Sequence, residues 1–192
     1  LFQLQASIMT KDKFKDSIQN IKLLISDVDG VLTDGRILIN SNGTESKYLN
    51  VEDGTGTALA FYADLPIALI SGRYSECTKI RAQELKIKHC FQDTLNKKII
   101  LDKLTKIYSV KYHEIAYIGD GLVDLPILEL VGLPIAVPNG HIMAKNNSSY
   151  ITSKLGGEGV LLEVVEMILK YQGRYDDILN IMKERAFEKS VK

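Results

Sequence analysis

Asp27, Asp29 and Asp34 crowd the run Ile21–Gly35, I-K-L-L-I-S-D-V-D-G-V-L-T-D-G, where an apolar stretch that reads as a buried strand stops abruptly. Carboxylates that close repel one another and raise each other's pKa unless a cation lies between them. The cluster is therefore either a metal site or a turn splayed into water. Asp27 and Asp29 are two residues apart, which on an extended backbone puts both side chains on the same side, facing one ligand. A carboxylate can attack phosphorus to form an aspartyl-phosphate, and a second one nearby can give a proton to the departing alkoxide and take one from water. Such a transfer needs its charge neutralised. Mg²⁺, with near-octahedral oxygen ligands, suits two or three carboxylates, a backbone carbonyl and a phosphate.

The same pattern of buried strand followed by small polar residues recurs twice. Pro66-Ile-Ala-Leu-Ile ends at Ser71-Gly72-Arg73, and Glu114-Ile-Ala-Tyr-Ile ends at Gly119-Asp120-Gly121-Leu122-Val123-Asp124. Helical stretches lie between these runs, over 75–85 and from Asn96 to about Ile107, with further short strands at 89–91, 133–137 and 150–152. Strands alternating with helices predict an α/β, Rossmann-like three-layer fold with a mainly parallel sheet, whose ligand site lies beyond the carboxyl ends of the strands. Three such ends carry hydroxyl or acidic residues, and a solvated turn explains any one of them but not all three.

Other segments frame this body. Residues 1–20 read as an N-terminal arm, 21–172 as the main domain and 173–192 as an amphipathic helix with Tyr175, Ile178, Leu179, Met182 and Ala186 on one stripe. Arg36 to Val51 holds two β-prone runs around Asn42-Gly43, a hairpin signal, directly after the acidic loop. Asp53-Gly54-Thr-Gly56-Thr opens a helix, with Asp53 as a cap and the glycines leaving room for an anion. Gly156-Gly157-Glu158-Gly159 opens a stretch from Val160 to Leu169 that is apolar on nearly every side, predicting burial against the body and another surface.

With 24 basic and 24 acidic residues in 192, no net field draws the chain to nucleic acid or to an anionic membrane. No apolar run is long enough to span a bilayer, and the first residues lack the pattern of a secretory signal, so a cytoplasmic protein is expected. Cys77 and Cys90 have no Cys or His at ligand spacing and read as reduced thiols.

Taken together, D-V-D-G-V-L-T-D, I-S-G-R, a downstream lysine and G-D-G-L-V-D resemble, in order, the four motifs of the haloacid dehalogenase superfamily of phosphatases. The finer wording, with N-V-E-D-G-T-G and G-G-E-G, is similar to the small phosphatases that act on 3-deoxy-D-manno-octulosonate 8-phosphate (KDO 8-phosphate) and related nonulosonate 9-phosphates. The resemblance implies Asp27 as nucleophile, Asp29 as acid/base, Ser71 as the second-motif hydroxyl and Lys97 as the third-motif cation. Lys98 and Lys103 compete for that last role, but the run Gln92–Lys97 resembles the family's approach to its lysine. It implies Mg²⁺ held by Asp27, the backbone carbonyl of Asp29 and Asp120, supported by Asp124, and substrate contacts from Gly30, Gly72, Arg73, Asp53 and Gly54.

Two positions depart from the family's pattern: Gly121 stands where a second Asp is frequent, and Leu162 where an Arg is common. The spacings leave no room for a separate cap domain, so neighbouring subunits are expected to cover the site through the hairpin and the 160–169 helix, and the family resemblance implies that the assembly is a homotetramer. The expected activity is hydrolysis of a sugar-acid phosphate, KDO 8-phosphate, for a surface polysaccharide precursor. The rivals are a nonulosonate 9-phosphate phosphatase and a catalytically silent partner of a sugar-activating enzyme.

Overall fold

The computed structural model describes residues 11–190, and side chains within 14–185. Six strands form one parallel sheet: β1 (Leu23–Ser26), β4 (Ile67–Ile70), β5 (His89–Phe91), β6 (Ile115–Gly119), β7 (Leu133–Ala136) and β8 (Tyr150–Ile151), in the order β5-β4-β1-β6-β7-β8. The helices are α1 (Lys11–Gln19), α2 (Glu52–Tyr62), α3 (Glu76–Glu84), α4 (Lys97–Tyr108), α5 (Leu125–Leu128), α6 (Ile142–Asn146), α7 (Val160–Tyr171) and α8 (Tyr175–Ser190).

Side chains alternate along each strand, so the sheet feeds two cores. Leu24, Leu69, Ala116 and Ile118 pack on one face with Leu59 and Ala60 of α2, Val164, Val165 and Ile168 of α7 and Ile178 of α8. Leu23, Ile25, Ile70 and Tyr117 pack on the other with Leu101 and Leu104 of α4, Ile127 and Leu128 of α5 and Ala144 of α6. Covering both faces explains why the central strands β1, β4 and β6 are apolar runs rather than alternating ones. The result is the expected three-layer fold.

The apolar breadth of α7 has a different cause from the one its sequence suggests. Val160, Leu161, Val164, Val165, Ile168 and Leu169 are all buried within the chain, with α2, α1 and α8 packed around the helix. No second surface is needed to bury it. The approach of α2 to α7 is close enough to require Gly56, because a Cβ there would stand 2.6 Å from the backbone nitrogen of Leu162. Gly56 therefore admits a neighbouring backbone, and the room expected there for an anion is filled. The stripe of α8 faces the same layer through Tyr175, Ile178 and Met182, while the side chain of Ala186 lies outside those described.

Between β1 and β4 the described residues hold only α2 and a small antiparallel ribbon, β2 (Leu38–Ile39) with β3 (Glu45–Ser46). No cap domain stands over the strand ends.

Candidate active site

The parallel register brings the three polar strand ends together. Ser26 pairs with Leu69 on one side and Ile118 on the other, so β4, β1 and β6 finish nearly level at the centre of the sheet. Asp27, Ser71 and Asp120 each follow one of these strands. The backbone holds the ends in place: Asp27 N–H donates to the Ile118 carbonyl at 2.9 Å and Ser71 N–H to that of Phe91 at 2.8 Å.

Lys97, the first residue of α4, projects into this junction. It is 2 % exposed, and its Nζ lies 2.6 Å from Asp27 Oδ2 and 2.7 Å from Asp124 Oδ1. Its two competitors point elsewhere, Lys98 pairing with Asp102 and Lys103 lying over the Phe91 ring. Asp124 is saturated: Oδ1 also accepts from the Tyr117 hydroxyl, and Oδ2 accepts from the Asp120 and Gly121 N–H groups at 2.9 Å each. A buried carboxylate so fully occupied orients the ammonium and the loop, and Gly121 contributes through its backbone what its missing side chain does not. Burial works against the Lys97 charge, but Asp27 and Asp124 more than offset it and its pKa is raised.

Burial pushes the Asp27 carboxyl up to about 7, Lys97 opposing and Asp124 adding to the rise. Asp120 is pushed up to about 6, by burial first and then by Asp124. One ammonium therefore does not suffice for three acids. Oxygens of Asp27, Asp120 and Asp124 lie within 4.8 Å of one another, and among the described residues no lysine or arginine pairs with Asp120. Gly30, at φ +89°, makes space for the Asp120 carboxylate, since a Cβ there would stand 2.1 Å from its Oδ2. A hard divalent cation fits this donor set: oxygen-only, electron-rich and short of positive charge.

The carboxylate of Asp29 is held by a different lysine. The N–H groups of Val31, Leu32 and Thr33 all bond to the Val28 carbonyl, so the chain turns immediately after Asp27 and the extended-backbone geometry expected for the two acids does not persist. Asp29 Oδ1 instead accepts from Lys47 Nζ at 2.7 Å, while its Oδ2 is buried with no partner among the described residues.

The remaining expected residues divide. Ser71 Oγ donates to the Arg73 carbonyl at 2.9 Å, and the half-exposed Arg73 guanidinium pairs with Glu45 of the ribbon at 2.9 Å. Gly72 lies between them with only the Leu95 side chain within ordinary contact of a would-be Cβ. Asp53 and Gly54 depart from expectation. Asp53 is 1 % exposed and its Oδ1 accepts from Leu161 N–H at 3.1 Å, so it caps α7 across the fold and not its own helix. Its carboxyl is pushed up to about 6, chiefly by burial, and Gly54 lies beside Leu85 and Arg81 of the α3 layer. Leu162 is partly buried in the first turn of α7, packed against the core beside Gly56. Two further residues of the site escape the motifs. Tyr117 sits inside an apolar run and reads as core, and Lys47 lies in the hairpin, where its sequence suggests a place at the far end of the pocket and not a contact with Asp29.

A parallel α/β sheet with carboxylates at adjacent strand ends, a buried lysine beside them and, among the described residues, no cap defines a class. The family of haloacid dehalogenase-like hydrolases matches residues 64–164, and the chain belongs to that family. Over 159 residues it is 40 % identical to the 3-deoxy-D-manno-octulosonate 8-phosphate phosphatase KdsC of Escherichia coli, covering 83 % of this chain and 85 % of that protein. The crystal structure of 3-deoxy-D-manno-octulosonate 8-phosphate phosphatase from Moraxella catarrhalis, in complex with magnesium ion, phosphate ion and KDO, is similar with a TM-score of 0.86. The identity there is 40 %, over 90 % of this chain and 99 % of that one. The cobalt-bound phosphatase of Haemophilus influenzae is similar with a TM-score of 0.79 and 39 % identity, over 83 % of this chain and 93 % of that one.

Proposed function

We propose that this chain is a Mg²⁺-dependent phosphomonoesterase that hydrolyses KDO 8-phosphate to KDO and phosphate, in the cytoplasmic supply of a lipopolysaccharide precursor. The observation that carries the reading is the buried Asp27 held 2.6 Å from Lys97, with Asp120 in the same acidic cluster at the next strand end. Likeness to KdsC over most of both chains supports the substrate.

In this reading the ionised Asp27 carboxylate attacks phosphorus, an Asp27–phosphoryl bond forms, and the ester oxygen leaves as the sugar hydroxyl with a proton from Asp29. Asp29 then takes a proton from water as the water oxygen bonds phosphorus and the Asp27–phosphoryl bond breaks, releasing phosphate. Lys97 and the Ser71 hydroxyl hold phosphoryl oxygens while charge shifts onto them. Mg²⁺ on Asp27, the Asp29 carbonyl and Asp120 supplies neutralising charge, with Asp124 fixing Lys97. Gly30, Gly72 and Arg73 border the substrate. Residues 21–172 constitute the phosphatase domain, with 173–192 as an appended helix.

A homotetramer completes the reading. Leu38, Ile39, Tyr48 and Val51 on and beside the ribbon are 57 %, 73 %, 81 % and 81 % exposed, an apolar surface next to an uncovered site. No described helix is long and apolar enough to cross a membrane.

The test is phosphate release from eight- and nine-carbon keto-acid phosphates with and without Mg²⁺, beside Asp27→Asn. The expected result is Mg²⁺-dependent turnover fastest on KDO 8-phosphate and abolished in the variant. Full turnover by Asp27→Asn sinks the nucleophile.

A further inference from the structure

We propose that Lys47 is a positioning residue that fixes the acid/base carboxylate of Asp29, so that only its Oδ2 is free to exchange the proton. The inference rests on the role given to Asp29 above and adds a residue that none of the four motifs contains.

The Lys47 side chain is fully buried, although its backbone lies just beyond the exposed ribbon strand β3. Its ammonium donates to Asp29 Oδ1 at 2.7 Å and to Thr78 Oγ1 of α3 at 3.3 Å, with Glu45 Oε1 at 4.0 Å. Such a pair contributes little net stability, because desolvating two charges offsets most of their attraction. Its effect falls on geometry instead. A carboxylate rotates about its last bond unless one oxygen is held, and Lys47 holds Oδ1 from a point itself anchored on Thr78. The second oxygen, buried and unpartnered, is thereby left as the site of protonation.

The proton balance is simple. As the Asp27–phosphorus bond forms and the ester P–O bond breaks, Asp29 Oδ2–H passes its proton to the leaving oxygen. As water attacks, Oδ2 receives one back. Lys47 takes no part in the exchange, and holding the same oxygen in both half-reactions keeps the exchanging one in place.

The role is tested by leaving-group dependence, measured as kcat/KM, which reports only the steps through phosphoryl transfer to Asp27. A poor alkoxide leaving group needs the acid and p-nitrophenolate does not. Three Mg²⁺-supplemented substrates are compared for wild type, Lys47→Met, Lys47→Arg and Asp29→Asn: KDO 8-phosphate, the carboxylate-free glycerol 3-phosphate, and p-nitrophenyl phosphate. Lys47→Met is expected to lose about a hundredfold on both alkyl esters and far less on the aryl ester, the pattern of Asp29→Asn, given the size of general acid catalysis. Lys47→Arg, which keeps a donor to Asp29, recovers most of the loss. Thermal melts of each variant report folding.

Equal losses on all three substrates would make Lys47 merely structural. A loss confined to KDO 8-phosphate would make it a binder of the substrate carboxylate, and either result overturns the proposal. A wild-type chain inert on every ester overturns the phosphatase reading itself, and this inference with it.

Discussion

Mg²⁺ binding by this site must displace protons, and the structure sets how many and where. Burial pushes the Asp27 carboxyl up to about 7 and that of Asp120 up to about 6. A cation requires both as carboxylates, so its apparent affinity falls by one plus the ratio of proton concentration to acid constant for each group. Between pH 8 and pH 6 the factor for Asp27 grows to about eleven and that for Asp120 to about two, an overall weakening of about twentyfold. Stability follows with the opposite sign. Acids whose folded pKa is raised favour the fold below their unfolded value near 3.8, and that contribution is lost as pH rises through 6 and 7. Mg²⁺ therefore raises the melting temperature more at pH 8 than at pH 6. Isothermal titration with Mg²⁺ across this range, in buffers of different ionisation enthalpy, gives both affinity and protons released. Asp27→Asn should shrink the pH dependence to about twofold, leaving only Asp120. An affinity constant within twofold from pH 8 to pH 6 in the wild type would refute the assignment of these two acids as ligands.

Asp53→Asn keeps an oxygen for Leu161 N–H and removes a buried charge whose pKa is pushed up to about 6. Because ionisation of that group disfavours the fold above its folded pKa, the variant should gain about 3 kcal/mol at pH 8 and well under about 1 kcal/mol near pH 4, read by denaturant melts. KM should stay unchanged, and a raised KM would return Asp53 to the substrate. Gly56→Ala forces a methyl against the Leu162 backbone, which cannot yield as a side chain would. Overpacking of about 1–3 kcal/mol outweighs the helix-propensity gain of about 1 kcal/mol, so its melting temperature should fall by several degrees. If the chain assembles as proposed, Ile39→Asp with Tyr48→Glu should convert the proposed tetramer to smaller species in light scattering, and an unchanged mass removes the ribbon from the interface.

The layered fold and its junction were legible because each relevant strand announces its own end, where an apolar run gives way to Asp27, Ser71 or Asp120. Parallel pairing then makes those ends adjacent without further information. Lys97 was legible through its neighbours in sequence. The misreadings arose where contacts are long-range or backbone-made. Asp53 looks like a local cap because Leu161 lies 108 positions away. The all-round apolar character of α7 suggests an outer partner because a helix crossing made close by Gly56 leaves no periodic trace. The turn that follows Asp27 is built from N–H groups converging on the Val28 carbonyl, and the alternation rule for side chains does not register it.

The ribbon formed by β2 and β3 is two-sided: Lys47 reaches inward to Asp29, while Leu38 and Ile39 look out. In the proposed tetramer, whatever grips the outside of so thin a piece of chain also steadies the side chain that holds Asp29. Dilution below the dissociation constant of that proposed tetramer should therefore slow turnover per chain before any loss of folded protein is seen, and surface changes on this ribbon should be felt at the Asp29 carboxylate.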